Sequence, residues 1–227
     1  MSDAAPRRAL VLGASGGIGA ALLAGLRGAG AEAIGLSRRD DGLDLTDPAS
    51  LARHADTLAG TDFDLIVNAT GALVIDGHEP EKSLDAVDPA AMAAQFALNA
   101  TGVALAIRAF APRLARDRRA VFASLSARVG SIGDNGLGGW VGYRAAKAAQ
   151  NQIIRTAAIE WRRRNPRSIF VALHPGTVRT PLTAKYAARY PTISPEDSAA
   201  ALLSVIAGLT PEDSGSFRDW KGERVPW

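Results

Sequence analysis

Short apolar segments alternate along the chain with longer segments in which alanine and leucine recur at helical spacing. Segments rich in Val, Ile, Leu and Phe predict seven β-strands, at residues 8–14, 31–37, 42–45, 63–69, 119–126, 168–174 and 215–220. The intervening segments predict helices at residues 17–29, 48–58, 89–115, 141–163 and 195–207. Such alternation is typical of a parallel sheet covered by helices on both faces. We therefore predict an α/β fold with a doubly wound, seven-stranded parallel sheet.

The composition is that of an ordinary globular protein: of 227 residues, 47% are hydrophobic and 22% are charged. No change in composition marks a domain boundary, so we expect a single domain over residues 1–227. Cysteine is absent, which excludes disulfides, thiolate nucleophiles and cysteine metal sites. The three histidines, His54, His78 and His174, are scattered along the chain, and no metal site is predicted.

Two basic clusters, at residues 116–119 and 161–167, follow predicted helices and precede predicted strands. Cations are favourable at helix C-termini, so we interpret both clusters as solvated helix ends and predict no binding of nucleic acid.

The most apolar long stretch, residues 90–115, is interrupted by Gln95, Asn99, Arg108 and Arg113. This pattern predicts a buried helix and no membrane span. The apolar run near the N-terminus is too short for the core of a signal peptide. We expect a cytoplasmic protein.

A glycine-rich loop, "GASGGIG" at residues 13–19, follows the first predicted strand and opens the first helix. Gly13, Gly17 and Gly19 allow a tight turn, close approach of a pyrophosphate to the backbone, and packing of the helix on the strand. The start of the helix offers free amide donors to the anion. The loop lacks the Gly-Lys-Ser/Thr ending of a P-loop. It therefore predicts a dinucleotide site on a Rossmann fold.

The end of the second strand carries Ser37, Arg38 and Arg39, where a site for NAD usually has an acidic residue. Arginine pairs with a 2′-phosphate through charge-assisted hydrogen bonds, whereas a carboxylate repels it. These residues predict a preference for NADP(H) over NAD(H). The alternative is that both arginines are loop charges, partly neutralised by Asp40 and Asp41.

Tyr143 and Lys147 lie four residues apart in a predicted helix, in "WVGYRAAKAAQ". Residues at this spacing share one helix face, so both side chains reach the same pocket. A phenol is a poor acid near neutrality, and a fixed ammonium lowers its pKa by favouring the phenolate. The pair therefore predicts a general acid and base, although the same spacing also occurs in solvated pairs on helix surfaces.

With these motifs the chain resembles the short-chain dehydrogenase/reductase family. The matching segments follow the family's order over nearly the whole chain: "GASGGIG", "NATG" (68–71), "LNATG" (98–102), "SLSARVGSI" (124–132), "YRAAK" (143–147) and "HPGTVRT" (174–180). Within the family, the chain is most similar to C-factor and Sniffer-type carbonyl reductases.

The resemblance implies catalytic roles for Asn99, Ser126, Tyr143 and Lys147. Tyr143 exchanges a proton with the substrate, and Lys147 tunes it and binds the nicotinamide ribose. Asn99 matches the residue that completes a proton relay through a water molecule. Ser126, which ends the fifth predicted strand, matches the donor to the substrate carbonyl.

The register of this serine differs from the family pattern, because "SARVG" is one residue longer than Ser-x-x-Gly before Gly130. Ala127 occupies the position three residues before that glycine. Ser124, which has the same strand parity as Ser126, and Ser131, in the following loop, are the alternatives.

The predicted cofactor contacts lie after the strands, where parallel sheets bind ligands. They are Gly13, Ser15, Gly16, Gly17, Ile18, Gly19, Ser37, Arg38, Arg39, Asp44, Leu45, Asn68, Ala69, Gly71, Tyr143, Lys147, Pro175, Gly176, Val178 and Thr180. Thr180 matches the residue that contacts the nicotinamide carboxamide, and "NATG" departs from the commoner Asn-Asn-Ala-Gly.

The substrate side consists of a loop with six glycines before Tyr143 and of residues 181–195, where the family has its substrate lid. Trp140 either forms a wall of the substrate pocket or packs beneath the loop. The resemblance also implies a homodimer or homotetramer. We expect an NADPH-dependent reductase of a small-molecule aldehyde or ketone. The alternatives are an NADP-binding sensor or signalling protein with little turnover and an NAD-linked alcohol dehydrogenase.

Overall fold

A computed structural model describes residues 6–180 and 192–227. Six parallel strands form one sheet in the order β2-β1-β3-β4-β5-β6. The strands are β1 (Arg8–Leu12), β2 (Glu32–Leu36), β3 (Leu65–Asn68), β4 (Ala120–Leu125), β5 (Ser168–His174) and β6 (Ser216–Asp219). The helices are α1 (Gly17–Gly28), α2 (Arg38–Asp41), α3 (Pro48–Thr57), α4 (Pro89–Phe96), α5 (Gly102–Phe110), α6 (Val141–Arg164) and α7 (Pro195–Gly208).

The core consists of two apolar layers, one on each face of the sheet. Alternate residues of a strand point to opposite faces, so Leu10 and Phe122 pack in the layer under α3, α5 and α6. Val11 and Val121 pack in the layer under α1 and α7. Strands β3 and β4 are buried along their whole length, as expected when helices cover both faces.

The prediction of a seventh strand at residues 42–45 is wrong. Leu43 and Leu45 are buried, which produces a strand-like alternation, but the segment belongs to no ladder of the described sheet. Its amides bond locally instead: Leu43 N–H donates to the Ser37 carbonyl oxygen, and Asp44 N–H donates to Ser50 Oγ.

The long helix predicted at residues 89–115 is interrupted in the structure. A π-helical turn, Ala97–Thr101, separates α4 from α5, and a short 3₁₀ turn, Ala111–Arg113, ends the run. By length and composition alone, Pro89–Arg113 is the one run within residues 6–180 and 192–227 that is apolar enough to cross a membrane, with 44% of its most apolar window buried. Val103, Ile107 and Phe110 of α5 contribute to the core beneath the sheet, which is the packing of a core helix.

The chain passes from β1 outward to β2 and then returns to β3 on the other side of β1. This reversal opens a crevice at the carboxyl ends of β1 and β3, and such crevices are where open α/β sheets bind ligands. The segments after β1, β3, β4 and β5 therefore meet at one edge of the sheet.

Candidate active site

The glycine-rich loop turns sharply after β1. Gly13 has φ +85°, and a Cβ atom there would lie 2.9 Å from the backbone of Ala69 at the end of β3. A Cβ atom on Gly19 would overlap the Gly13 carbonyl oxygen. Only glycine allows the loop to lie this close both to β3 and to α1.

The start of α1 presents backbone donors that no side chain caps. Gly16 is the N-cap residue and provides no side-chain hydrogen bond, and both Gly16 and Gly17 are exposed. The partly exposed Ser15 and Ile18 flank these glycines, and the methyl group of Thr180 lies over Gly17. Unpaired amides at an exposed helix start fit a pyrophosphate.

Ser37 and the two arginines after β2 form the start of α2. Ser37 caps this helix, its Oγ accepting a hydrogen bond from Asp40 N–H at 3.0 Å. Arg39 pairs with Asp40 at 2.8 Å, and this hydrogen-bonded pair holds the pKa of the Asp40 carboxyl below its usual value. Arg38 is exposed and forms no ion pair with another described residue. Asp40 therefore neutralises Arg39, whereas Arg38 is available to pair with an anionic ligand.

Asp44, which follows this helix, is held by Thr46. Thr46 donates to Asp44 Oδ1 through its hydroxyl at 2.7 Å and its N–H at 2.8 Å, and these hydrogen bonds lower the pKa of Asp44. The charge of Arg38 contributes a smaller part of that lowering. Leu45 is buried against Gly102 at the start of α5.

The segment after β3 connects the glycine loop to the side chains of the site. Asn68 is fully buried, and its Nδ2 donates to Ser124 Oγ across to β4 at 3.1 Å. Its Oδ1 accepts from the Thr70 hydroxyl at 2.6 Å. Gly71 has φ +137°, and a Cβ atom there would lie 2.8 Å from Asn99 Oδ1 and 3.3 Å from Lys147 Nζ. Gly71 therefore marks the point at which Asn99 and Lys147 approach each other.

Asn99 lies in the π-helical turn and is 1% exposed. Its Nδ2 donates to the Ala72 carbonyl oxygen at 2.9 Å and to Gln95 Oε1 at 2.7 Å, and its Oδ1 accepts from Ala72 N–H at 3.3 Å. Gln95 donates in turn to the Leu73 carbonyl oxygen. The turn therefore presents an amide that holds the chain just after Gly71, and π-helical turns frequently occur at functional sites.

Tyr143 and Lys147 lie one turn apart near the start of α6, and both are buried. Lys147 Nζ lies 5.8 Å from the centre of the Tyr143 ring. Burial lowers the pKa of Lys147 to about 7 and raises the pKa of Tyr143 well above its ordinary value. The predicted lowering of the phenol's pKa by the ammonium is therefore outweighed by desolvation. The Tyr143 hydroxyl has no hydrogen-bond partner within the described part of the chain.

The start of α6 is held by the loop after β3. The N–H of Gly142 donates to the Glu81 carboxylate at 3.1 Å, and the N–H of Trp140 donates to the Glu81 carbonyl oxygen at 2.5 Å. Trp140 has φ +54°, and its ring packs edge-to-face on Tyr143 with centroids 6.3 Å apart. Trp140 therefore packs directly against the proposed acid.

Each of the three candidate serines has a hydrogen-bond partner. Ser124 Oγ accepts from both Asn68 and Gln150, so this serine links β3, β4 and α6. Ser131 Oγ donates to the carbonyl oxygen of Pro226. Ser126, which directly follows β4, donates to Asn151 Oδ1 at 2.7 Å.

The segment after β5 returns to the glycine loop through Thr180. Gly176, with φ +83°, packs against Trp220, and the Pro175 carbonyl oxygen accepts from Ser198 of α7. Val178 is buried and pairs with Ile193. Of the predicted lid, residues 181–191 lie outside the described residues.

Sequence reasoning did not single out four polar residues that the structure places at the site: Glu81, Gln95, Gln150 and Asn151. Gln150 and Asn151 follow Lys147 by three and four residues, and Gln95 precedes Asn99 by four. Those spacings place each on the helix face of a candidate residue. This spacing was the available signal for three of them, whereas the contact of Glu81 with α6 depends on the tertiary fold.

A family model described as short chain dehydrogenase matches residues 42–191. The chain belongs to this family. The C-signal protein of Myxococcus xanthus is 37% identical over 145 residues, which cover 64% of this chain and 84% of that protein. The 1-hydroxy-2-glutathionyl-2-methyl-3-butene dehydrogenase of Rhodococcus sp. (strain AD45) is 30% identical over 190 residues, with coverage of 83% and 80%. The resemblance to the short-chain dehydrogenases is thus confirmed, and the protein is a member of an oxidoreductase family.

Solved structures of two carbonyl reductases share the fold. The NADPH-bound carbonyl reductase from chicken fatty liver has a TM-score of 0.82 at 25% identity and covers 100% of this chain and 96% of its own. The carbonyl reductase Sniffer of D. melanogaster has a TM-score of 0.81 at 18% identity, with coverage of 97% and 99%. The α/β architecture predicted for a short-chain dehydrogenase is therefore confirmed.

Proposed function

We propose that the protein is an NADPH-dependent oxidoreductase that reduces an aldehyde or a ketone, with Tyr143 as the general acid. The observation that carries this proposal is the convergence of three buried side chains at one edge of the sheet. Lys147 Nζ and Asn99 Oδ1 both lie beside Gly71, and Tyr143 lies one turn from Lys147 on α6. The glycine loop after β1 opens at the same edge.

The chain offers a complementary group for each charged part of the cofactor. The free amides at the start of α1 suit the pyrophosphate, and Arg38 suits the 2′-phosphate of NADP. Lys147 suits a ribose hydroxyl. The chicken carbonyl reductase with NADPH bound supports the choice of NADP(H). When bound, the nicotinamide supplies a hydride to the carbonyl carbon.

The raised pKa of Tyr143 keeps its phenol protonated at neutral pH, so a proton is available for the carbonyl oxygen during reduction. In the reverse direction the ammonium of Lys147 favours loss of that proton. Asn99, which holds the Ala72 backbone beside Lys147, suits the relay that returns the proton. Ser126 donates to the substrate carbonyl only if its hydroxyl hydrogen turns away from Asn151 Oδ1.

The direct test measures oxidation of NADPH and NADH over a panel of aldehydes and ketones, with Tyr143→Phe as the control variant. We expect turnover with NADPH that the control loses while it still binds NADPH. Equal turnover by Tyr143→Phe would rule out Tyr143 as the acid.

A second candidate function is a cofactor-binding signalling protein with little turnover. One observation that favours it is that the Ser126 hydroxyl, the proposed donor to the substrate, already donates to Asn151 Oδ1. The other is the similarity to the protein named C-signal. Tight NADPH binding without turnover on any carbonyl of the panel would support this candidate over the reductase.

A further inference from the structure

The ammonium of Lys147 is held by a glutamine on its own helix. Lys147 Nζ donates to Gln150 Oε1 at 2.8 Å and to the Leu125 carbonyl oxygen at 3.2 Å. The Gln150 side chain is fully buried, and its Nε2 donates to Ser124 Oγ at 2.9 Å and to the same Leu125 carbonyl at 3.0 Å. Two of the three ammonium hydrogens are therefore used on the side of β4.

The contact continues across the sheet through buried polar groups. Ser124 Oγ, which accepts from Gln150, also accepts from Asn68 Nδ2 at 3.1 Å. Asn68 Oδ1 accepts from the Thr70 hydroxyl, one residue before Gly71. This polar chain connects the ammonium to the segment after β3 that also contacts Asn99. Buried polar networks in which every member is paired favour one arrangement of their side chains.

The orientation of the Gln150 amide follows from its partners. A carbonyl oxygen only accepts hydrogen bonds, so the amide atom that faces Leu125 must be the nitrogen. The amide oxygen then faces Lys147, whose ammonium only donates. A hydrocarbon side chain of similar length at this position would leave the ammonium with the single acceptor at Leu125.

We propose that Gln150 is a positioning residue, whose amide oxygen holds the Lys147 ammonium between the end of β4 and Gly71 and keeps it charged. The significance of this role for turnover rests on the proposed function. The third N–H of the ammonium has no partner in the described part of the chain, and it lies free for a cofactor hydroxyl.

The surroundings of Lys147 make this acceptor important. Its ammonium faces the Tyr143 ring on α6, the Leu125 carbonyl on β4 and the Asn99 amide beside Gly71. Gly130 packs against the main chain and Cβ of Lys147. No carboxylate among residues 6–180 and 192–227 pairs with it. Burial alone lowers the pKa of Lys147 to about 7, so the Gln150 oxygen opposes a further loss of charge.

The first test follows the Nζ signals of ¹⁵N-labelled lysine by NMR as the pH changes, in the full chain without cofactor. The chain has four lysines, and Lys147→Arg assigns the signal of interest. In Gln150→Met the pKa of Lys147 should fall by about one unit, the effect of one lost hydrogen bond to a charged group. Gln152→Met, at an exposed position on the same helix, is the matched control and should not change it.

A second variant covers the case in which Gln150→Met does not fold. Gln150→Glu retains an acceptor toward Lys147 and should raise the pKa of Lys147 above the wild-type value. An unchanged Lys147 titration in either folded variant would overturn the inference.

The same variants separate this inference from the proposed function. In Gln150→Met the upper pH limit of kcat/KM for carbonyl reduction should move about one unit lower, and Gln150→Glu should move it higher. Failure of the wild type to reduce any carbonyl would refute the proposed function, while the NMR titration would still test Gln150. Turnover with unchanged pH limits in both variants would refute the inference alone.

Discussion

The ammonium of Lys147 lies 5.8 Å from the ring centre of Tyr143, and neither side chain is more than 8% exposed. Desolvation lowers the pKa of the amine and raises the pKa of the phenol. Both shifts disfavour the charged forms of the two side chains, so a ligand that pairs with the ammonium would also change the proton affinity of the phenol beside it. The predicted proton donor and the residue predicted to tune it therefore lie on one face of α6.

Tyr143→Phe should reduce kcat by roughly 10²- to 10⁴-fold, the usual contribution of a general acid. The phenyl ring retains the edge-to-face contact with Trp140, so folding and NADPH binding should remain near wild type. Steady-state kinetics and fluorescence titration with NADPH measure the two effects separately. A comparable loss in NADPH affinity would indicate a structural role for the hydroxyl.

Arg38→Ala should weaken NADPH binding by about 10- to 100-fold, because a charge-assisted hydrogen bond to the 2′-phosphate is lost. NADH, which lacks this phosphate, should bind almost as before. Arg39→Ala is the matched control, since Arg39 already pairs with Asp40 and should have a smaller effect. The test is to measure the dissociation constants of NADPH and NADH for both variants. Equal losses of affinity for the two cofactors in Arg38→Ala would contradict a contact between Arg38 and the 2′-phosphate.

Gly13→Ala should destabilise the fold by more than the roughly 1 to 2 kcal/mol that a left-handed backbone costs alanine. The added Cβ atom would lie 2.9 Å from the Ala69 backbone, so strain and overlap add. Gly30→Ala separates these terms, because Gly30 has φ +86° and open space around its Cβ position. Urea unfolding gives both free energies, and equal losses would show that the close approach to β3 is unimportant.

His174, partly buried at the end of β5, has its pKa lowered by desolvation to about 4. Between pH 6.5 and 4 this histidine is therefore protonated in the unfolded chain and neutral in the folded chain. Stability should be unaffected by this group above pH 6.5 and should fall, by no more than roughly 3 kcal/mol, as the pH drops to 4. In His174→Asn an amide oxygen replaces Nδ1 as acceptor for Arg128 N–H, and this contribution to the acid-dependent loss should disappear. His78→Asn, at an exposed position, is the control in the same urea titrations and should retain the wild-type pH dependence.

The strands and helices were largely predictable, because a parallel sheet with two covered faces produces continuous apolar runs. The run at residues 168–174, for example, coincides with β5, and the predicted helix at 141–163 differs from α6 by one residue. The prediction failed where alternation has another cause. Leu43 and Leu45 are buried in the core layer that includes residues of α3 and α5, while the backbone between them bonds locally.

The hydrogen bonds between side chains of the site were harder to predict from the sequence. The spacing of Tyr143 and Lys147 places them on one face, but it does not reveal that Gln150 binds the ammonium. That contact depends on the Leu125 carbonyl and on Ser124, which are distant in sequence and are brought near only by the packing of α6 on β4. The catalytic and cofactor roles of these residues remain predictions for the experiments above.

Because the π-helical turn at Ala97–Thr101 lies between α4 and α5, the number of residues in this helical segment determines where Asn99 lies in the site. Each residue of a helix rotates the chain by about 100°, so a one-residue deletion that restored regular α-helix would turn α4 and α5 relative to each other by that angle. Either Asn99 would leave the Ala72 backbone, or the apolar face of α5 would leave the sheet. Insertions and deletions between residues 89 and 110 should therefore be far more harmful than substitutions at exposed positions of the same segment.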